Sequence, residues 1–280
     1  MRQFRLLVAE SETAEQRDAR RERAGKSSGE SYRATLFQLA PGATVDLVAP
    51  ADEDADPPGP EALAGYDAVF LTGSPLHVYC DIPPVRRHLD FMRDVFRSGT
   101  PSFGSCAGLQ VAVAAAGGVV RPMPRRTEAG IARRITRTEA GRNHPLLAGR
   151  PAAWDAFTIH GDEVEQLPPG GAVLATNSAC RVQAAEIRHD RGVFWGVQTH
   201  PELAPGEIAV ALRSQADELC EAGLLGRPED VEAQTAPLER LQHEPDHAPS
   251  RWALGIDDEV AVEANRRREL DNFLDRFVRS

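Results

Sequence analysis

Pro101-Ser102-Phe103-Gly104-Ser105-Cys106-Ala107-Gly108-Leu109-Gln110 is the stretch on which the reading of this chain turns. A short apolar run ends at Gly104, and a run of small apolar residues, Val111 to Ala116, follows as a helix would. Between them a cysteine has one glycine two residues before it and another two residues after. That is the layout of a nucleophile elbow, a sharp turn from strand to helix. A Cβ at either glycine would collide with neighbouring backbone in so tight a turn. The turn sets the sulfur at a helix N-terminus, where free N–H groups and the helix dipole favour thiolate over thiol. A lone cysteine is more often a small buried hydrophobe. The flanking glycines, the strand before and the helix after move Cys106 toward a nucleophile.

A second stretch supplies what a cysteine nucleophile needs. Phe194-Trp195-Gly196-Val197-Gln198 reads as a strand and runs into Thr199-His200-Pro201-Glu202. A histidine at a strand end, with a carboxylate two residues on, provides a base and the group that orients it. Two weaker segments share this character: Leu71-Thr72-Gly73-Ser74-Pro75, after an apolar run, and Ile159-His160-Gly161-Asp162-Glu163-Val164.

Taken in order, Gly104-x-Cys106-x-Gly108-x-Gln110, His200-Pro201-Glu202 and the two weaker segments resemble a class I (triad) glutamine amidotransferase. The similarity is closest to the glutaminase domain of GMP synthase and its stand-alone relatives, γ-glutamyl peptidases included. It spans residues 1–203 plus a final helix. The resemblance implies an α/β fold of the flavodoxin-like kind, an open and mostly parallel sheet flanked by helices. It implies Cys106, His200 and Glu202 as the catalytic triad, and the backbone N–H groups of Ser74 and Ala107 as an oxyanion hole. A second glycine is usual where Ser74 stands, but a backbone donor survives if serine can hold the same angles. The resemblance also points to Gly73, Gln110, Ile159, His160 and Gly161 around the substrate. Relatives often carry serine where Ile159 stands and a larger residue where Ala107 stands. A roomier pocket, open to a longer γ-glutamyl amide, follows from the second departure.

Composition narrows the function class. A chain of 280 residues with 41% hydrophobic residues can fill the core of one large α/β domain with an appendage. The net charge of −10 argues against a nucleic-acid surface. The apolar runs are too short to span a bilayer. The N-terminus reads as a buried first strand rather than a signal peptide. Cys80, Cys106, Cys180 and Cys220 are scattered, which fits a reducing cytoplasm and gives no zinc-site spacing. No metal or cofactor is expected.

Along the chain, strands are expected at residues 4–9, 44–48, 66–72, 131–138, 152–159, 172–176, 180–187 and 193–198. Helices are expected at 30–39, 83–96 and after the elbow. The charged segment 10–31 reads as a solvated helix face at the sheet's C-terminal edge. Gly25-Lys26-Ser27 is no phosphate-binding loop, because Arg20 stands where that motif requires glycine. Residues 50–60 read as a surface loop. Residues 204–264 read as a helical insertion, either a pad that covers the sheet or a lid or docking surface, and 265–280 as the closing helix. His77, His88, His144, His189, His243 and His247 read as structural.

Three functions remain open on sequence. The first is hydrolysis of the glutamine side-chain amide through a γ-glutamyl thioester, with ammonia passed to a separate synthase. The second is a stand-alone γ-glutamyl peptide or amide hydrolase. The third is a silent binding or regulatory protein of the same fold. The oligomeric state is not readable from the sequence.

Overall fold

Apolar alternation along the first strands decides which side of the sheet each residue serves. The computed structural model describes residues 3–126 and 128–280. In β1 (Arg5–Ala9), Leu6 and Val8 join the core on one face, and Leu7 and Ala9 join the core on the other. Such two-sided burial is the mark of a parallel strand covered by helices on both faces. β2 (Thr44–Val48), β3 (Ala68–Leu71) and β4 (Ser102–Ser105) complete the N-terminal half of the sheet. After β5 (Val119–Pro122) come β6 (Ala129–Arg137), β7 (Ala153–Ile159) and β8 (Asp162–Gln166). The last strands are β9 (Gly171–Thr176), β10 (Ala184–His189) and β11 (Gly192–Val197).

The nine-stranded sheet runs β2-β1-β3-β4-β11-β10-β9-β6-β7, and β5 pairs with β8 in a separate ribbon. Strands from β2 through β11 are parallel neighbours, whereas β11, β10, β9, β6 and β7 are joined antiparallel. The sheet is thus open, with an antiparallel extension on one side. Two expectations shift. The strand expected from residue 180 starts at Ala184, because the Asn177 side chain accepts from the N–H groups of Ala179 and Cys180 and holds a turn there. The β5–β8 ribbon has no expectation before it, since both strands are short and half polar.

Helices fill both faces. α1 (Ala14–Ala24) opens with a Thr13–Gln16 capping box and stops at Gly25, whose φ of 75° only glycine adopts cheaply. α2 (Ser28–Leu39) follows, then the short α3 (Pro60–Leu63) and α4 (Pro83–Ser98), which starts on Pro83 and closes at Gly99. α5 (Ala107–Ala115) is the elbow helix. α4 and α5 cover one face with Phe91, Met92, Val95, Leu109 and Val113. The opposite face is aromatic: Phe70, Phe103 and Trp195 meet Phe273, with ring centroids of 5.4, 5.5 and 5.9 Å from it.

Phe273 belongs to the closing helix. From residue 205 the chain is helical: α6 (Pro205–Ser214), α7 (Ala216–Glu221), α8 (Glu232–His243), α9 (Ala248–Leu254), α10 (Asp258–Ala261), α11 (Glu263–Arg266) and α12 (Arg268–Phe277). α6 to α10 share a small core of their own, built from Ile208, Leu212, Leu238, Leu241 and Val260 and closed against Phe157 of β7. Beneath it Arg150, with a side chain 1% exposed, pairs with Glu269 at 2.5 Å and Glu259 at 2.6 Å. Among the described residues no helix is long and apolar enough to cross a membrane.

Candidate active site

Three neighbouring strands end at one level. Leu71 pairs with Gly104, and Gly104 pairs with Gly196. Gly73, Cys106 and His200 stand two, one and three residues past those ends, so the sheet ladder itself brings the three segments together. This is the carboxyl edge of the parallel strands, where open α/β sheets place their ligands.

Cys106 sits at φ 52°, ψ −110° at the head of α5. A non-glycine residue there costs roughly 1–3 kcal/mol and is held only by surroundings that over-determine it. Those surroundings are glycine and backbone. A Cβ on Gly104 would lie 2.6 Å from the Gly108 carbonyl carbon, and one on Gly108 would lie 2.5 Å from the Leu71 carbonyl oxygen. The Cys106 N–H donates to the Val197 carbonyl at 2.8 Å, tying the elbow to β11. Gly73 is required for a different reason: its Cβ would sit 2.7 Å from His200 Cε1.

His200 is buried, and its Nδ1–H donates to Glu202 Oε1 at 2.8 Å. Its backbone N–H donates to Phe157 at 2.8 Å. Its Nε2 is buried beside Cys106 and, among the described residues, has no partner in full hydrogen-bond geometry. Burial pushes the imidazole toward a lower pKa, but the charges of Glu202 and Cys106 outweigh it and raise it to about 10. The ring therefore holds a proton at neutral pH.

Sequence reasoning missed Gln198. Its amide donates to Cys106 Sγ at 3.5 Å, and the Gln110 amide in turn donates to Gln198 Oε1 at 3.2 Å and to the Asp162 carbonyl at 3.1 Å. Both Gln110 amide hydrogens are thus spent inside the protein, so Gln110 reaches the sulfur through Gln198. Gln198 is fully buried on a strand end next to His200, and that position was the available signal.

His160 is likewise engaged. Its Nδ1–H donates to the Asp162 carbonyl at 2.9 Å, and Nε2 lies 3.1 Å from Glu128 Oε1. Glu128, on a segment with no motif, also accepts from Gln183 at 2.6 Å and Asn177 at 2.9 Å. Burial works against its charge, but these donors hold it below the usual carboxylate range. The His160 ring braces the 159–162 turn, and Ile159 presents its carbonyl 3.7 Å from Cys106 Sγ.

Ser74 has no positive φ. Serine therefore holds this backbone without left-handed strain, and Ser74 Oγ accepts from the Leu76 N–H at 2.9 Å, tightening that turn.

Cys106, His200, Glu202, Gly73, Ser74, Gln110, Ile159, His160 and Gly161 all border one cavity of about 510 Å³. Ala107 does not: its side chain faces a pinhole of about 10 Å³ behind the turn, shared with Ser74, Ser11 and His88. The far wall of the cavity departs from expectation. It is made by α1, through Glu15, Ala19, Arg20 and Arg23, and by α6 and α7, through Glu207, Val210, Ala211 and Glu218. The charged segment after β1 is thus not only a solvated face, and the helices after residue 204 do more than pad the sheet. Arg20 reaches Glu207 at 3.4 Å, and Ser31 donates to Glu207 at 2.5 Å, so α1 and α2 are fastened to α6.

Comparison with known proteins agrees with this architecture. Residues 29–215 match the sequence model of the family described as "Glutamine amidotransferase class-I". A γ-glutamyl-L-1-hydroxyisopropylamide hydrolase from Pseudomonas sp is 36% identical over 231 residues, covering 80% of this chain and 76% of that protein. The GMP synthase of Thermomicrobium roseum is 33% identical over 155 residues, 54% of this chain but only 26% of the synthase. The chain thus spans about a quarter of the synthase it resembles. Among solved structures, a glutamine amidotransferase from Thermotoga maritima superposes with a TM-score of 0.66 at 17% identity, covering 100% of both chains. A second one, from Methylobacillus flagellatus, does so with 0.61 at 18%, covering 97% of this chain and 96% of that one. With an open sheet whose carboxyl edge gathers an elbow cysteine and a histidine–glutamate pair, and with two thirds of its length matched, this chain belongs to the class I glutamine amidotransferases.

Proposed function

We propose that this protein is a stand-alone hydrolase of γ-glutamyl amides, acting through a thioester on Cys106. The observation that carries the reading is the cavity itself. It joins the elbow cysteine and the His200–Glu202 pair to a chamber of about 510 Å³ walled by α1, α6 and α7. Glutamine alone leaves an ammonia-sized group on that side. A chamber extending away from the sulfur suits an amide whose nitrogen bears a substituent. The similarity to a γ-glutamyl-L-1-hydroxyisopropylamide hydrolase over 80% of the chain supports the same substrate class. The region from residue 204 to 264 then acts as an insertion that shapes the chamber, and 1–203 with 265–280 form the catalytic body.

In this reading Cys106 Sγ attacks the γ-carbonyl carbon, and the proton of the thiol resides on His200 Nε2. The backbone N–H groups of Ser74 and Ala107 receive the oxyanion, each worth about 3–4 kcal/mol of barrier. Collapse of the tetrahedral adduct breaks the C–N bond, and His200 gives its proton to the departing amine. Water, losing a proton to His200, then opens the thioester to glutamate and restores the thiol. Gln198 steadies the charge on sulfur from one side, and Gln110 orients Gln198. Gly73, Ile159 and Gly161 line the glutamyl group, with His160 fixing the turn that carries the last two.

The test is release of glutamate and amine from a panel of γ-glutamyl alkylamides beside glutamine. An N-alkyl amide should be turned over faster than glutamine, and Cys106→Ala should lower turnover by roughly 10³-fold or more. A Cys106→Ala variant with near-normal activity would overturn the mechanism. Activity should also fall as pH rises through about 10, where His200 loses its proton. Glu202→Gln removes the chief charge that supports that proton and should move this limb toward neutral pH.

A second reading, ammonia delivery to a separate synthase, rests on the GMP synthase similarity. It requires glutamine to be the preferred amide and turnover to rise when the synthase is added. Glutamine binding without turnover by any amide would leave the third reading, a silent protein.

A further inference from the structure

Arg126 stands on the cavity that Cys106 shares, in the loop between β5 and β6. Its side chain is only 11% exposed, yet its charge is poorly matched. The nearest carboxylate, Glu218 of α7, lies 3.7 Å from Nη1 and is itself 67% exposed. Nη2 donates to the neutral Gln215 side chain at 2.7 Å, and Nε is buried with no acceptor among the described residues. A buried guanidinium with an orphaned N–H is costly unless something completes it. Three further acids bordering the cavity have their own work. Asp162 accepts from Tyr79 at 3.1 Å and faces His77 at 2.7 Å, Glu202 holds His200, and Glu207 is taken by Ser31. None of the three is hydrogen-bonded to Arg126.

A γ-glutamyl group carries an α-carboxylate at the end of a short methylene chain from the carbonyl that sulfur attacks. Arg126 borders the same cavity as Cys106 and lies in the field of Glu218, Cys106 and Asp162. Arg126 lines this cavity, and a planar, forked guanidinium is what a carboxylate takes. We propose that Arg126 binds the α-carboxylate of the γ-glutamyl moiety, and that Gln215 and Glu218 of the helical insertion hold it in position to do so. The inference rests on the γ-glutamyl hydrolase reading above and deepens it, because it makes the insertion part of substrate recognition.

The experiment separates the two. Iodoacetamide alkylation of Cys106 is followed in wild type, Arg126→Gln and Arg126→Lys, with protection by glutamate or by 4-aminobutyrate, which lacks only the α-carboxylate. Arg126→Gln should raise the half-protecting glutamate concentration roughly 10–100-fold, the worth of a charge-assisted hydrogen bond. It should leave protection by 4-aminobutyrate within a few-fold, and Arg126→Lys should recover part of the loss. In turnover the same variant should raise KM for a γ-glutamyl alkylamide far more than it lowers kcat. It should spare the matching 4-aminobutyryl amide. Gln215→Ala should show a smaller effect of the same pattern.

Equal losses with both ligands would mean a structural role and overturn the proposal, as would no loss with either. A loss confined to an amide whose only carboxylate lies on the departing amine would overturn the assignment to the glutamyl end. Should wild type hydrolyse no amide while the glutamate-specific protection persists, the hydrolase reading falls and the Arg126 assignment stands.

Discussion

The two sides of the cavity are built by different physics. On one side the elbow and the ends of β3, β4 and β11 leave no room: added Cβ atoms at Gly104, Gly108 and Gly73 would fall 2.5–2.7 Å from their neighbours. On the other side α1, α6 and α7 are joined by long side chains. Arg20 meets Glu207, Arg126 meets Gln215, and Arg213 behind them meets Glu232 and Glu239. One wall is fixed by close packing at three glycines, the other by pairs of long polar side chains, largely buried at Arg20 and Glu207 and more exposed at Arg213, Glu232 and Glu239. In the proposed reading the reacting groups lie on the rigid wall, and the groups that judge the rest of the substrate lie on the adjustable one.

The sharpest way to break this contrast is on the rigid side. Gly108→Val sets two methyls beyond a Cβ that already meets the backbone of β3. It should cost roughly 5 kcal/mol or more, abolish activity and lower the urea midpoint accordingly. A folded, active variant would show that the elbow is not backbone-limited. The root of the insertion offers the next test. Glu269→Ala leaves the buried Arg150 with Glu259 as its one carboxylate partner, and chemical denaturation should register a loss of about 3–5 kcal/mol. A loss under 1 kcal/mol would place that root with the adjustable wall.

Behind the turn at Ser74, His88 is fully buried, and burial lowers its pKa to about 4. The unfolded chain titrates this group near 6.5, so between pH 6.5 and 4 the unfolded state binds the extra proton. Stability is therefore intact above 6.5, falls as pH drops from 6.5 to 4 by about 3 kcal/mol in all, and levels off below 4. His88→Leu should flatten that acid slope. An unchanged slope would assign it to other groups. The smallest effect belongs to the adjustable wall: Arg213→Ala, with a side chain 32% exposed, should change stability by less than about 1 kcal/mol and less still in high salt.

The rigid wall was legible in the sequence because its constraints are local. Gly104, Cys106 and Gly108 declare a turn by spacing alone, and the apolar runs of β1 and β3 declare strands buried on both faces. The adjustable wall was not legible. Arg20, Arg126 and Glu218 look like any solvated charges, and only tertiary placement brings them to one cavity. Gln198 and Glu128 escaped for a related reason. Each is a single polar residue whose partners, Cys106 and Gln110 for one, His160, Asn177 and Gln183 for the other, are distant in sequence. The β5–β8 ribbon escaped because Arg121 and Pro122 in one strand and Asp162, Glu163 and Glu165 in the other erase any apolar period.

The pairing of Leu71 with Gly104 and of Gly104 with Gly196 has a consequence for how the protein wears out. The segments bearing Gly73, Cys106 and His200 leave adjacent central strands, the part of a sheet that opens last under native conditions. In the outer wall, α6 and α7 pack in a smaller core of their own and should open earlier. On heating, discrimination among amides should decay before the ability to cleave one. A protein partly aged would thus become less choosy while still quick, and reactivity of Cys106 would survive until the sheet melts as a whole.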